Sequence, residues 1–288
     1  MKGIILAAGA GTRLSPATLP ISKILLPIYD RPMIYYPLST LMMAGIDEIL
    51  VITNEADQNN FKRTLGDGSQ FGIKIDYAMQ YVQRGIADAF LIAEKWIDNE
   101  KVALILGDNI FYGENIESVV SKASESDAGA VIFGYRVPDP ERFGVIGFDD
   151  EMKVTSLEEK PSNPKSDCAA VGIYFYDSNV CSLAKTLKPS GRGELEITDL
   201  NIEYLKKNDL SVLLFDDETE WIDAGTFDSL LDASNFVCRK EKELGKKILC
   251  PELIALKKGF VSKDDLIKWI KNNKDNEYFR GLLREIDG

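Results

Sequence analysis

Through residue 135 the chain alternates short apolar runs, bounded by Gly or Asp, with amphipathic stretches, and this alternation narrows its fold more than any other feature. Lys2–Ala7, Glu48–Thr53, Lys74–Ala78, Val102–Leu106 and Ala130–Tyr135 read as strands. Between them Pro32–Ala44, Asp57–Leu65, Ile86–Trp96 and Asn115–Ser126 carry helical spacing, with Pro32 in a first turn and Asp30 as a candidate cap. Strand and helix in strict turn predict an α/β fold: a Rossmann-like, doubly wound, mostly parallel sheet flanked by helices, whose ligands sit beyond the carboxyl ends of the strands. From Phe143 the texture changes to shorter strand candidates, Val145–Phe148, Val154–Glu158 and Ala170–Tyr176, then a helix over Thr198–Lys206 and a strand over Ser211–Phe215. The sheet is expected to gain antiparallel members there. Thr226–Glu243 is helical in pattern, and Lys263–Asn273 with Glu277–Glu285 forms a charged helical appendage whose apolar stripes fit either their own sheet or a neighbour.

Composition removes whole classes of function. A net charge of −12 leaves no basic stripe for duplex nucleic acid, and no apolar run approaches the length of a membrane span. With no charged, cleavable leader at the start, the cytoplasm is the expected location. Cys168, Cys181, Cys238 and Cys250 are scattered without a CxxC, which suits reduced thiols rather than a zinc site. Histidine is absent, so Ser-His-Asp and Cys-His nucleophilic chemistry is excluded and any metal must be hard and oxygen-liganded.

Several short stretches carry candidate chemistry, each with a plainer reading beside it. Gly9, Gly11 and Thr12 follow the first strand, where backbone N–H groups cradle phosphates or where a tight turn simply leaves a buried strand. Arg13 and Lys23 in the same connection favour phosphate. Asp108 in "ALILGDNIFYG" and Asp223 in "EWIDAGTFDSL" both end apolar strands, as a pair of Mg²⁺-holding carboxylates or as turn aspartates. "SLEEKP" sets Glu158, Glu159 and Lys160 at a strand end, and "PSGRGELEITD" carries Arg192 into a helix; both are phosphate clamps or solvated charge. Gln80, just past a strand in "YAMQYVQRGIADAF", is a reader of a base edge or a surface amide, with Gly85 opening the next helix.

Taken together, "GTRLSPAT", "ISKILLPIYDRPMIYYPLSTLMMAGI", "LGDG", "LGDNIFYG", "SLEEKP", "GIYFYD", "RGELEITD" and "SLLDASNF" occur in an order that resembles the short bacterial glucose-1-phosphate thymidylyltransferases (dTDP-glucose pyrophosphorylases) of the sugar-nucleotide transferase superfamily. The resemblance spans nearly the whole chain. It implies a nucleotidyltransferase joining dTTP and α-D-glucose 1-phosphate into dTDP-glucose and pyrophosphate with Mg²⁺. It implies a 1–240 α/β domain, sugar-binding over about 110–225, with 241–288 packed on it. Carried over by position, Leu6, Gly9, Gly11, Thr12 and Arg13 serve the nucleotide, and Lys23 assists the leaving pyrophosphate. Gln80 and Gly85 recognise thymine and Asp88 lies near the nucleotide sugar. Asp108 and Asp223 hold the metal; Gly144, Glu159, Lys160, Val171 and Tyr174 line the hexose pocket, with Lys160 and Arg192 on its phosphate.

Three positions depart from the commonest pattern. Ala8 replaces a glycine, Phe143 stands where many members have Tyr, and "FDDETEW" is acidic where some relatives are basic at a secondary nucleotide site. The resemblance also implies a homotetramer, dTDP-rhamnose as a feedback ligand and a place at the first step of dTDP-deoxysugar and polysaccharide synthesis. The residues themselves suit in-line attack of a sugar phosphate on the α-phosphorus, which needs positioning and charge neutralisation but no protein nucleophile. UTP, CTP or another sugar 1-phosphate in the same chemistry, or a nucleotide-sugar-binding regulator, are the alternatives. A dinucleotide oxidoreductase fails on the missing third glycine.

Overall fold

Each apolar run expected to be a strand is one, within a residue or two at its ends. The computed structural model describes residues 1–273 and 275–287. The first half runs β1 (Lys2–Ala7), the two-residue strands β2 (Pro27–Ile28) and β3 (Arg31–Pro32), α1 (Tyr35–Met43), β4 (Glu48–Thr53), α2 (Gln58–Leu65), β5 (Lys74–Met79), α3 (Asp88–Ile97), β6 (Val102–Leu106), β7 (Asn109–Tyr112), α4 (Ile116–Glu125) and β8 (Ala130–Arg136). The second half adds β9 (Gly144–Phe148), β10 (Val154–Glu159), β11 (Cys168–Tyr176), α5 (Val180–Ala184), α6 (Ile197–Lys206), β12 (Leu210–Leu214), β13 (Glu220–Asp223), α7 (Phe227–Leu244), α8 (Pro251–Lys258), α9 (Lys263–Asn272) and α10 (Glu277–Asp287).

Nine strands form the main sheet. β5, β4, β1 and β6 lie side by side and parallel, and β11 follows antiparallel to β6. β11 is long enough to pair with β9 through Ala169 and Ala170 and with β6 through Ile173–Tyr176, while its other edge takes β8 and then β12. Alternation along each strand divides the core: Ile5, Val51 and Phe175 pack on one face of the sheet, Ile4, Leu50 and Tyr174 on the other. From β1 the chain moves to β4 and β5 on one side, then returns to β6 on the other. The crevice beyond the carboxyl ends of β1 and β6 is therefore the topological switch point, where doubly wound folds bind ligands.

Pro32 does not open α1, and Asp30 does not cap it. Arg31 is only 2% exposed, and a guanidinium in that position must be paired. Its Nε donates to Asp30 Oδ1 at 2.8 Å, Nη1 to the Ile248 carbonyl at 2.9 Å, and Nη2 meets Glu241. Asp30 is spent on that network, which ties the β2–β3 turn to the end of α7. The stripes of α9 and α10 are satisfied within the chain, where Leu266, Ile270, Leu282 and Ile286 form one cluster with Cys250. The four cysteines are free, and among the described residues no helix is long and apolar enough to cross a membrane.

Beside that cluster Glu252 is fully buried, accepting from Cys250 Sγ at 3.0 Å and the Tyr278 hydroxyl at 2.9 Å. Burial raises its carboxyl above the ordinary range. The folded chain thus holds this proton after the unfolded chain has released it, so stability falls as pH rises from about 4.3 through the raised value. Glu252→Gln is expected to melt increasingly above the wild type as pH goes from 5 to 8. Thermal melts across that range check it, and a constant difference would refute it.

Candidate active site

Gly11 sits at φ +62°, a left-handed turn that glycine tolerates. Thr18 Oγ1 donates to its carbonyl at 2.9 Å and folds the following segment back over it. Thr12–Leu14 then makes one 3₁₀ turn, with Leu14 buried and Arg13 exposed on the opposite side. Lys23 begins a second such turn, whose N-cap Ser22 accepts from the Ile24 N–H and donates its own N–H to Asp57 Oδ1 at 2.9 Å. Anchored this way, Lys23 places its ammonium on Asp108 Oδ2.

Asp108 is carried on the sheet itself. The Gly107 N–H donates to the Leu6 carbonyl at 3.0 Å, joining the ends of β6 and β1, and the Ala224 N–H donates to the Asp108 carbonyl at 2.9 Å. β7 and β13 pair antiparallel with Asn109 opposite Asp223, which brings the second carboxylate beside the first. Asn109 holds this corner: its Oδ1 accepts from Trp221 Nε1 at 2.7 Å and the Gly172 N–H at 3.2 Å, and its Nδ2 donates to Asp108 Oδ1 at 3.1 Å. Burial, then the neighbouring Asp108 carboxylate, raises the Asp223 carboxyl above the usual range, against the pull of Lys23, Arg13 and Arg142. Two repelling carboxylates with only oxygen donors fit a hard divalent cation. Among the described residues no third His, Cys, Asp or Glu joins them, as suits Mg²⁺, which takes one or two carboxylates and completes its shell with water and phosphate.

Arg13 reaches the same corner. A Cβ added at Gly225 would lie 2.8 Å from Arg13 Nη2 and 3.1 Å from Asp223 Oδ1. Gly225→Ala is therefore expected to displace the guanidinium, cutting kcat/KM by about tenfold or more while shifting the melting temperature little. Unchanged kinetics would show that Arg13 does not need this seat.

Gln80 lies at the carboxyl end of β5, its N–H bound to the Thr53 carbonyl at 2.9 Å. Gly85 stands at φ +96° with the Leu195 backbone 2.4 Å from where a Cβ would be, so only glycine fits. Glu159 ends β10 and accepts from Thr198 Oγ1 at 2.6 Å, while Lys160 takes a left-handed backbone at φ +45° that turns the chain at the strand's end. Arg192 is exposed yet held by carboxylates: Nη2 lies 2.9 Å from Glu196 Oε2, 3.1 Å from Glu159 Oε1 and 3.5 Å from Glu194 Oε2. Glu194 and Glu196, in the segment leading into α6, are its carboxylate partners together with Glu159.

These groups open onto one cleft of about 780 Å³. Leu6, Gly9, Arg13, Gln80, Gly85 and Asp108 line it. So do Gly144, Glu159, Lys160, Tyr174, Arg192 and Asp223. Gly11, Thr12 and Lys23 support the wall without lining it. Val171 departs from expectation because strand alternation turns its side chain into the core, leaving Ala170 and Gly172 on the cleft. Asp88 departs too, buried behind Gln80 rather than facing the cleft. Sequence reading missed Arg142, Asn109 and Trp221, which line the cleft. Arg142 had a signal, since it directly precedes Phe143, whose ring packs edge-on to Trp221 at 5.1 Å.

A mixed sheet whose parallel β5-β4-β1-β6 core carries a glycine-flexed loop, paired aspartates and convergent cations at its switch point defines a nucleotide-handling α/β transferase. The match of the Nucleotidyl transferase family model to residues 2–240 makes the chain a member of that family. It is 50% identical over 284 residues to the glucose-1-phosphate thymidylyltransferase of Neisseria meningitidis, covering 99% of each chain. A Bacillus anthracis structure assigned as a glucose-1-phosphate thymidylyltransferase, complexed with sucrose, superposes with a TM-score of 0.76 at 43% identity, over 82% of this chain and 94% of that one. A UDP-glucose pyrophosphorylase complexed with UDP-glucose gives 0.72 at 25% identity, over 83% and 98%.

Proposed function

We propose that the protein joins dTTP and α-D-glucose 1-phosphate into dTDP-glucose and pyrophosphate. The observation that carries this reading is one cleft lined by the paired Asp108 and Asp223 with Arg13 at their corner, and by Lys160 and Arg192. The sugar phosphate is already anionic at neutral pH, so its oxygen attacks the α-phosphorus without a protein base, and pyrophosphate leaves in line. The obstacle is repulsion between two polyanions. At 4 Å a unit pair costs about 1 kcal/mol in water and about 4 kcal/mol at an effective dielectric of 20.

Arg13 orients and neutralises the triphosphate, with Lys23 in reserve on Asp108. Lys160 and Arg192 hold the hexose phosphate; Arg192 exchanges its carboxylate partners for phosphate oxygens, a stronger charge match. Asp108 and Asp223 would hold Mg²⁺, which supplies further charge neutralisation on the phosphate oxygens. Gln80 and Gly85 receive the base, and Glu159 and Tyr174 face the hexose. The same reading includes a cytoplasmic homotetramer with dTDP-rhamnose as feedback ligand, supported by sequence resemblance alone.

Pyrophosphate release with dTTP and glucose 1-phosphate tests the proposal, and failure of that pair in the presence of Mg²⁺ would end it. A UTP arm addresses the second reading, favoured by the UDP-glucose-bound relative; faster turnover with UTP than with dTTP would establish it.

A further inference from the structure

We infer that Asp88 is a positioning residue for base choice: it locks the Gln80 amide so that only a carbonyl oxygen faces the cleft, selecting a pyrimidine with an N–H at position 3. This rests on the reading of Gln80 as the base contact.

Gln80 is 6% exposed and Asp88 1%. Gln80 Nε2 donates to Asp88 Oδ2 at 3.0 Å and to the Gly85 carbonyl at 3.4 Å. Both partners are acceptors only, one a carboxylate and the other a peptide oxygen. A flipped amide would set Oε1 against them with no proton between, a buried repulsion that fixes the orientation. Both Nε2 protons are therefore spent, and the group Gln80 has left to offer is Oε1. Asp88 is itself secured: it opens α3, where a carboxylate complements the helix dipole, and Arg84 Nη2 lies 2.8 Å from its Oδ1, as an ion pair rather than an aligned hydrogen bond.

An acceptor presented this way pairs with the N3–H of thymine or uracil. In the same seat cytosine would turn its bare N3 lone pair toward Oε1, leaving two buried acceptors face to face. Sites that demand a hydrogen bond reject the unmatched analogue far more sharply than apolar pockets reject a missing methylene. The carboxylate at 88 thus excludes cytosine without touching the base. It says nothing between thymine and uracil, which share the imide.

Asp88→Asn tests this, because its amide can donate to Gln80 Oε1 and let Gln80 turn its N–H₂ toward the cleft. The ratio of kcat/KM for dTTP over dCTP is expected to fall by about tenfold or more, while the ratio for dTTP over UTP holds. Calorimetric binding of dTDP and dCDP reads the same preference without turnover. If Asp88→Asn does not fold, Asp88→Glu and Asp88→Gln make the comparison, with cytosine rejected by the acceptor-only Glu and admitted by Gln. Undiminished preference for dTTP in folded Asp88→Asn, or equal preference in the Glu and Gln variants, overturns the inference while leaving the proposed activity intact. Wild-type protein that binds neither nucleotide overturns both.

Discussion

Asp108→Asn and Asp223→Asn are each expected to cut turnover of dTTP and glucose 1-phosphate by about 10²–10³-fold, with melting temperatures near that of the wild type. The argument is electrostatic. Asp108 is fixed by Asn109 and by the Ala224 N–H, and Asp223 arrives opposite Asn109 through the β7–β13 pairing. Neutralising either carboxylate weakens the hold on a divalent cation without altering this backbone. For Asp223 the change also removes a buried like-charge repulsion, so that variant should lose activity without losing stability. Steady-state kinetics over a Mg²⁺ titration, paired with thermal melts, measure both quantities. Near-normal turnover in either variant would remove the metal role assigned to the pair.

The second large effect falls on the hexose phosphate. Lys160→Ala and Arg192→Ala are expected to raise KM for glucose 1-phosphate by about 10–100-fold, with the KM for dTTP moving less than about threefold. On the proposed reading, each lost cation removes a charge-assisted contact to one phosphate only. Arg192→Ala carries an added penalty, because Glu159, Glu194 and Glu196 then crowd together without the guanidinium that joins them. It should be the more damaged of the two. Equal weakening toward both substrates would contradict the division of the cleft into nucleotide and sugar sides.

Much of this site was legible before any fold was known. Gly9, Arg13, Asp108 and Lys160 stand at or just beyond the ends of apolar runs, and a doubly wound sheet gathers such ends at one edge. The failures are equally specific. Asp30 was read as a helix cap because Pro32 follows it, yet Arg31, hidden from solvent, claimed that carboxylate. For Arg192 the local sequence offers a phosphate clamp or a solvated charge, and what it does not show is Glu159, a partner from β10 distant in sequence, on which the exposed guanidinium rests. Val171 was assigned to the pocket by position in a motif, and the pleat of β11 turned it inward. Position in a motif puts Asp88 near the nucleotide sugar; what only the fold shows is that its carboxylate is bound to Gln80 and paired with Arg84.

The sequence by itself determined the strand and helix order, the absence of histidine chemistry, and the identity of the charged residues at strand ends, since periodicity and residue type are local properties of the chain. Only the tertiary structure decided that Asp223 stands beside Asp108, that Arg192 rests on three carboxylates, and which way the Gln80 amide points. Those outcomes depend on pairings between distant segments and on burial, which sets whether a polar group must find a partner in the protein or can leave that to water.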